Sequence, residues 1–375
     1  EGGLGDRLAG AFAQTDGPLD TTFATGGWDF WNPSFATGVK VDDLAVRPDG
    51  KLAITGRVFA VGDRDALSCA RAGNGGSGTC VNLTYDLGGG NNNDGAGIAA
   101  QSGNQMVIVG EAQGPAADPA WVATVHRMTA ANALDGTFNG GTGPFDLSST
   151  YDVDARAVTV ADDKIYLAGT VSVDVGSDFF VAVREADGTP ETAWSGDGWA
   201  TAAFDLGGND GDFAEAIAVD PLGRVVAGGL ASDGTDFFFA VARFTAAGVL
   251  DGGWSGDGKL TLAVDVGGVG NLQVGGMAVD RFSRVVLAGR APTASGSRLV
   301  VVRLTAAGAL DGTFGGGDGM ADFAYGATDD ISTVVDVVTL GPPSDRIAAL
   351  GEYDSVGTDP ADGFYPVTLR AGDGL

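Results

Sequence analysis

Few residue types in this 375-residue chain can do chemistry, and all but the acids are scarce. The single histidine, His126, falls in an apolar stretch from Trp121 to Arg127. One imidazole does not make a zinc or haem site, which needs further histidines or clustered cysteines. A Ser–His–Asp site would have to use His126, and no G-x-S-x-G elbow accompanies it. The four lysines, Lys40, Lys51, Lys164 and Lys259, lie in no phosphate-binding loop. Carboxylates are abundant, with 49 Asp and Glu. Glycoside cleavage needs two of them, but among so many the sequence singles out no pair. No cofactor, metal or catalytic residue is therefore assigned.

Two cysteines, Cys69 and Cys80, bracket the Gly-rich segment CARAGNGGSGTC. They are close, solitary and in a region suited to a loop, so a disulfide is preferred to two free thiols. Such a bond favours an oxidising compartment. Asn82-Leu83-Thr84 fits a glycosylation sequon and is read as a chance match. Asp- and Gly-rich loops such as Ser255-Gly256-Asp257-Gly258 leave calcium open as an alternative, although calcium takes six to eight oxygens and no full EF-hand pattern occurs. The polar runs at 88–95 and 207–212 read as surface turns, or as a rim for sugars or a partner.

Charge narrows the partners. With 21 Lys and Arg the net charge is −28, which argues against nucleic acid. It also argues against an anionic membrane surface, and no stretch reaches the roughly 18 apolar residues of a membrane span. Hydrophobic residues make up 44%, enough for a packed core. The 64 glycines show no collagen-like period and suit many tight turns. The chain starts at Glu1 without a basic-then-apolar leader and is read as mature or trimmed.

What positions these residues is a repeat. One anchor reads LDTTF at Leu19, LDGTF at Leu134, PETAW at Pro190, LDGGW at Leu250 and LDGTF at Leu310. The last three steps are 56, 60 and 60 residues; the first, 115, is two periods with a degenerate copy near the cysteines. A second anchor is a hairpin segment ending in glycine at Gly56, Gly110, Gly169, Gly228, Gly289 and Gly351. Six copies follow one another without a linker. Each reads as four short strands separated by turns, as in Ala214–Asp220, Arg224–Ala227, Asp236–Phe244 and Lys259–Val266. A lone four-stranded sheet cannot cover both faces, whereas six sheets stacked in a ring can. In the anchor, Leu19, Leu134, Leu250 and Leu310, with Phe23, Phe138, Trp194, Trp254 and Phe314, are expected in the seams between sheets. Asp20, Asp135, Asp251 and Asp311 are expected to close Asx-turns.

The order AVDPLGRVVAGG … FFFAVARFTAAGVLDGGWSGDGKLTLAVDVGG resembles the delta-60 repeat, a unit of bacterial surface and secreted proteins, and is similar to a lengthened NHL-type propeller blade. The resemblance runs from Leu19 to Leu375. It departs in the second copy, where Cys69 to Cys80 replaces the LD-aromatic loop and leaves that outer edge in question. The resemblance implies a propeller and an extracellular setting, and implies no activity.

The expected architecture is an all-β, six-bladed β-propeller over 19–375, closed by strands from both termini, with 1–18 as an N-terminal extension. Residues 27–37 read as an outer strand completing the last blade. Residues 7–14 read as a surplus third strand, packed at an edge or offered to a neighbouring molecule. The expected role is a non-catalytic bacterial module, secreted or on the cell surface, engaging a protein partner or a surface assembly. The alternative is a carbohydrate-binding or glycan-cleaving propeller.

Overall fold

The computed structural model describes residues 8–11, 28–31, 38–60, 63–71, 78–83, 93–114, 121–141, 151–173, 176–207, 211–268, 272–324, 331–340, 346–353 and 363–369. Leu19, Asp20 and Phe23, and the boundary at 18/19, lie outside them.

The described residues form strands, with three short 3-10 turns. No helix among them is long and apolar enough to cross a membrane. Strands β1 (Leu8–Ala11) and β2 (Trp28–Trp31) pair with each other alone, so the expected extension shares a sheet with residues beyond 18. Six antiparallel sheets of three or four strands follow in chain order. The first holds β3 (Gly38–Val46), β4 (Leu52–Ala60), β5 (Asp63–Arg71) and β6 (Gly78–Leu83). The second holds β7 (Asn93–Gln101), β8 (Gln105–Gln113) and β9 (Trp121–Met128). The third holds β10 (Val153–Ala161), β11 (Lys164–Ser172), β12 (Ser177–Arg184) and β13 (Trp199–Ala202). The fourth is β14 (Phe213–Val219), β15 (Val225–Ser232), β16 (Phe237–Phe244) and β17 (Lys259–Leu262). The fifth is β18 (Gln273–Val279), β19 (Val285–Pro292), β20 (Ser297–Leu304) and β21 (Met320–Phe323). The sixth is β22 (Ile331–Leu340), β23 (Arg346–Tyr353) and β24 (Gly363–Leu369). Every sheet is a meander in sequence order, as short alternating runs joined by tight turns require.

Local chemistry explains the hairpins. In the β14–β15 turn, Asp220 Oδ1 accepts from the N–H groups of Leu222 and Arg224, each at 2.9 Å, and Gly223 sits at φ +74°. Asp280 does the same for Phe282 and Arg284 in the β18–β19 turn. In the first, second, fourth, fifth and sixth sheets the first strand carries a register shift opposite the repeated glycine. At Gly56, Gly110, Gly229 and Gly289 an added Cβ would lie 2.0, 1.8, 1.9 and 2.2 Å from a carbonyl oxygen of the first strand. These glycines therefore lie mid-strand, where the bulge drives two backbones together, and do not end the hairpin. In the fourth copy the equivalent residue is Gly229, one beyond the expected Gly228: Gly229 pairs with Ala214 as Gly289 pairs with Val274.

Contacts divide the chain into one unit of 1–167 with 184–190 and another of 168–183 with 191–375. In the first, Ala53 and Ala66 pack with Ile98, Met106 and Ile108 across the first and second sheets. In the second, Phe239, Val241, Leu287 and Val300 form a buried cluster with Trp254, and Phe314 packs with Ile331, Val334 and Ile347.

Cys69 and Cys80 form a disulfide. They are directly opposite on β5 and β6, so they lie on paired strands, not in a loop, and the outer edge of that sheet is formed.

Candidate functional site

The expected anchors divide into two groups. Phe138, Trp194, Trp254 and Phe314 are buried. Asp135, Asp251 and Asp311 accept N–H bonds from the residue two positions on, at 2.9, 3.1 and 3.0 Å. The leucines need correction. Leu134 and Leu310 are 53% and 39% exposed, and the three described anchor leucines each contribute a backbone bridge, Met128↔Leu134, Phe244↔Leu250 and Leu304↔Leu310. That bridge fixes the main chain of the loop, and the Leu134 and Leu310 side chains remain exposed.

An arginine at the end of the third strand, missed in the sequence, completes this anchor. Arg127, Arg243 and Arg303 each bind the anchor aspartate, at 2.8, 3.0 and 2.8 Å from Nε, and lie over the anchor ring. Arg243 Nη1 also donates to Ala306 O of the next repeat at 2.8 Å, and Arg127 Nη1 to Ala186 O at 2.7 Å. Trp254 fills the space beside Gly308, where a Cβ would approach within 2.7 Å. These are structural joints. The Ser255–Gly258 loop is likewise a turn: Ser255, Gly256 and Gly258 have positive φ, and Asp257 accepts the Lys259 N–H at 2.9 Å. Among the described residues no group of three or more His, Cys, Asp or Glu is placed to hold a metal ion.

His126 lies buried on β9, and burial pulls its pKa down to about 4, so the ring is neutral at ordinary pH.

The chemistry gathers elsewhere, within the first unit, at the starts of β7, β9 and β10 and along β3 and β4. Asp42 occupies the bulge of β3 and accepts from Arg57 Nε and Nη2 at 3.0 and 3.1 Å, a bidentate pair. Lys40 Nζ is 3.0 Å from the same carboxylate. Arg57 Nη1 reaches Asp94 on β7 at 2.9 Å, and Arg64 Nε reaches it at 2.6 Å. The Arg64 guanidinium lies 6.0 Å from the Trp121 ring centroid, and the Trp121 N–H donates to Asp152 at 3.1 Å. Arg156 pairs with Asp154 on β10.

Glu111 stands directly opposite Asp94 in the β7–β8 ladder, so both side chains leave the same face. Asp94 is clamped by two guanidiniums; Glu111 has no hydrogen-bond or ion-pair partner among the described residues. Burial first, and then the charge of Asp154, pushes the Glu111 carboxyl up to about 7. Burial also raises Asp154, against the pull of Arg156. Burial raises Asp94 too, against the pull of Arg57 and Arg64. The site thus joins a half-buried proton-bearing acid to neighbouring carboxylates, arginines and an aromatic ring. No repeat period links these residues, so nothing in the sequence marked them.

No family model matches the chain, and no curated protein matches it. Solved structures do. A protein of unknown function from Dyadobacter fermentans is similar over 88% of this chain and 94% of its own, at 12% identity and a TM-score of 0.51. A Trypanosoma rangeli sialidase is similar over 96% of this chain at 10% identity and a TM-score of 0.48; the chain spans 57% of that sialidase's length. A Fusarium graminearum GH93 α-L-arabinofuranosidase is similar over 88% of this chain and 92% of its own, at 9% identity and a TM-score of 0.48. Such identities speak to fold alone, and the fold is a β-propeller.

The expected non-catalytic role, with the expectation that the chain is no enzyme, is corrected at this point. It rested on the propeller implying no activity, yet a sialidase and an arabinofuranosidase stand among the structures resembling this fold. The fold gives no ground for a passive module.

Proposed function

We propose that the protein is a glycan-binding and glycan-cleaving β-propeller whose site is the Glu111 cluster. The observation that carries this reading is Glu111 itself: across a ladder rung from Asp94, without a hydrogen-bond or ion-pair partner among the described residues, and raised to about 7 by burial and the charge of Asp154. Glycoside cleavage asks for one carboxyl that holds a proton near neutrality and one that is ionised. Burial raises both carboxyls; Glu111 is raised further by the charge of Asp154, whereas Arg156 pulls Asp154 back toward the ionised form. Glu111 then protonates the departing glycosidic oxygen. Asp154 receives the positive charge developing at the sugar carbon or activates a water. Trp121 offers a ring face for stacking. We read the six sheets as six blades; β2, from the segment expected to complete the last of them, pairs with β1 instead. The resemblance to delta-60 repeats and the disulfide support a secreted or surface setting for a glycan-facing protein.

The test is release of reducing ends from a panel of oligosaccharides by the wild-type chain and by Glu111→Gln. Turnover lowered about 100-fold or more in the variant, with an unchanged thermal transition, is the expected result. Wild-type inactivity and absence of binding across the panel, or an equally active variant, would contradict the proposal.

A further inference from the structure

The cations of this cluster already have acids of their own. Lys40 pairs with Asp42, Arg57 with Asp42 and Asp94, Arg64 with Asp94, and Arg156 with Asp154. The whole chain carries a net charge of −28. Such a site holds out little to an anionic ligand, whereas paired carboxylates and guanidiniums still exchange hydrogen bonds with uncharged hydroxyls. Apolar surface is then what can choose among ligands. Glu111 and Trp121 leave the same face of the β8–β9 ladder: Glu111 lies opposite Ala123, two residues from Trp121, so the two are diagonal neighbours. The guanidinium 6.0 Å from the Trp121 centroid belongs to Arg64, whose rung partner on β4 is Phe59. Phe59 is 40% exposed. Its other rung partner is Gly38 on β3, which has no side chain. Phe59 therefore has a bare position on one side and Arg64 on the other. Arg64 in turn runs from that rung to Asp94, at 2.6 Å, and to the Trp121 ring.

From these two rings we infer that the site takes a neutral oligosaccharide of two or more sugars, one stacked on Trp121 beside Glu111 and a further one on Phe59. A sugar with a continuous C–H face is an apolar plate of the kind that aromatic faces bind. The Arg64 side chain, set between the rings, keeps one sugar from covering both. The inference rests on the glycan reading above. It adds the substrate class, an uncharged extended glycan, and a specificity-determining residue, Phe59, on a different sheet from the acid.

The experiment measures binding of the full chain to ladders of neutral gluco-, galacto-, manno-, xylo- and arabino-oligosaccharides, one to six sugars long, and to uronate ladders of the same lengths. Glu111→Gln serves as the background, so that ligands stay intact, and wild type is run beside it. In at least one neutral series, affinity is expected to climb about tenfold or more between one sugar and three. Adding Phe59→Ala should weaken the longer ligands about threefold or more and leave the single sugar within about twofold, with an unchanged thermal transition. Phe59→Trp, which keeps a ring, should retain the climb. Binding that does not depend on length, or a Phe59→Ala loss that is equal at every length, would overturn the two-ring inference and leave the glycan reading standing. Uronates bound more tightly than neutral ligands of the same length would overturn the neutral class. Silence of both wild type and Glu111→Gln across every ladder would overturn the glycan reading itself.

Discussion

At the scale of residues, two buried titratable groups bend stability in opposite directions. His126 has an ordinary value of 6.5 and a folded value of about 4. The unfolded chain therefore takes up a proton that the folded chain refuses. Stability is intact above pH 6.5 and falls as pH drops toward 4, by about 3 kcal/mol in all. Glu111 runs the other way: its folded value, about 7, lies above the ordinary 4.5. Its contribution is whole below pH 4.5 and is lost as pH rises through 7. Urea denaturation from pH 4 to 8 should show a flatter acid limb in His126→Gln and a flatter alkaline limb in Glu111→Gln. Unaltered limbs would mean that neither environment is as the structure has it. Neither behaviour was legible from sequence. His126 stood out there as the one histidine, without its burial, and Glu111 was one acid among 49. Its chemistry comes from a rung shared with Asp94 and from Asp154 two strands further along the chain, distances that no local pattern encodes.

At the scale of elements, the sequence spoke most clearly. Four-strand units, the turn aspartates and the buried anchor aromatics follow from composition and period, because the same local problem is solved in each copy. The errors are just as local. Leu134 and Leu310 looked like seam residues because apolar type suggests burial, yet their backbone bridges govern their place. Gly228 was favoured over Gly229 because the two are adjacent, and only strand pairing separates them. The arginines at 127, 243 and 303 were passed over because a charged residue at a strand end reads as exposed, whereas an aspartate and a ring enclose each here. The bulge glycines give the sharpest test. At Gly110 a methyl would sit 1.8 Å from the carbonyl oxygen of Asp94, against the β7 backbone. Gly110→Ala is expected to cost about 2–4 kcal/mol and to disturb Asp94. At Gly103, where φ is +69° and a Cβ meets nothing within 4 Å, the same change should cost only about 1 kcal/mol. Thermal and urea unfolding of the two variants would separate close approach from turn strain; equal losses would count against the bulge.

At the scale of the whole molecule, charge, fold and site fit one picture. A net charge of −28 opposes the approach of polyanions. Within the first unit, residues far apart in sequence meet: Lys40, Arg57, Arg64, Asp94, Glu111 and Asp154 come from six different strands of the first three sheets. That gathering separates a passive repeat from a working site, and it is invisible to a period of 60. The most direct test is a crystal structure of the protein with the tightest-binding oligosaccharide of the panel, grown near pH 6. The account predicts a sugar ring against Trp121 and a glycosidic oxygen within hydrogen-bond distance of Glu111. A ligand bound elsewhere, with the Glu111 cluster untouched, would contradict it.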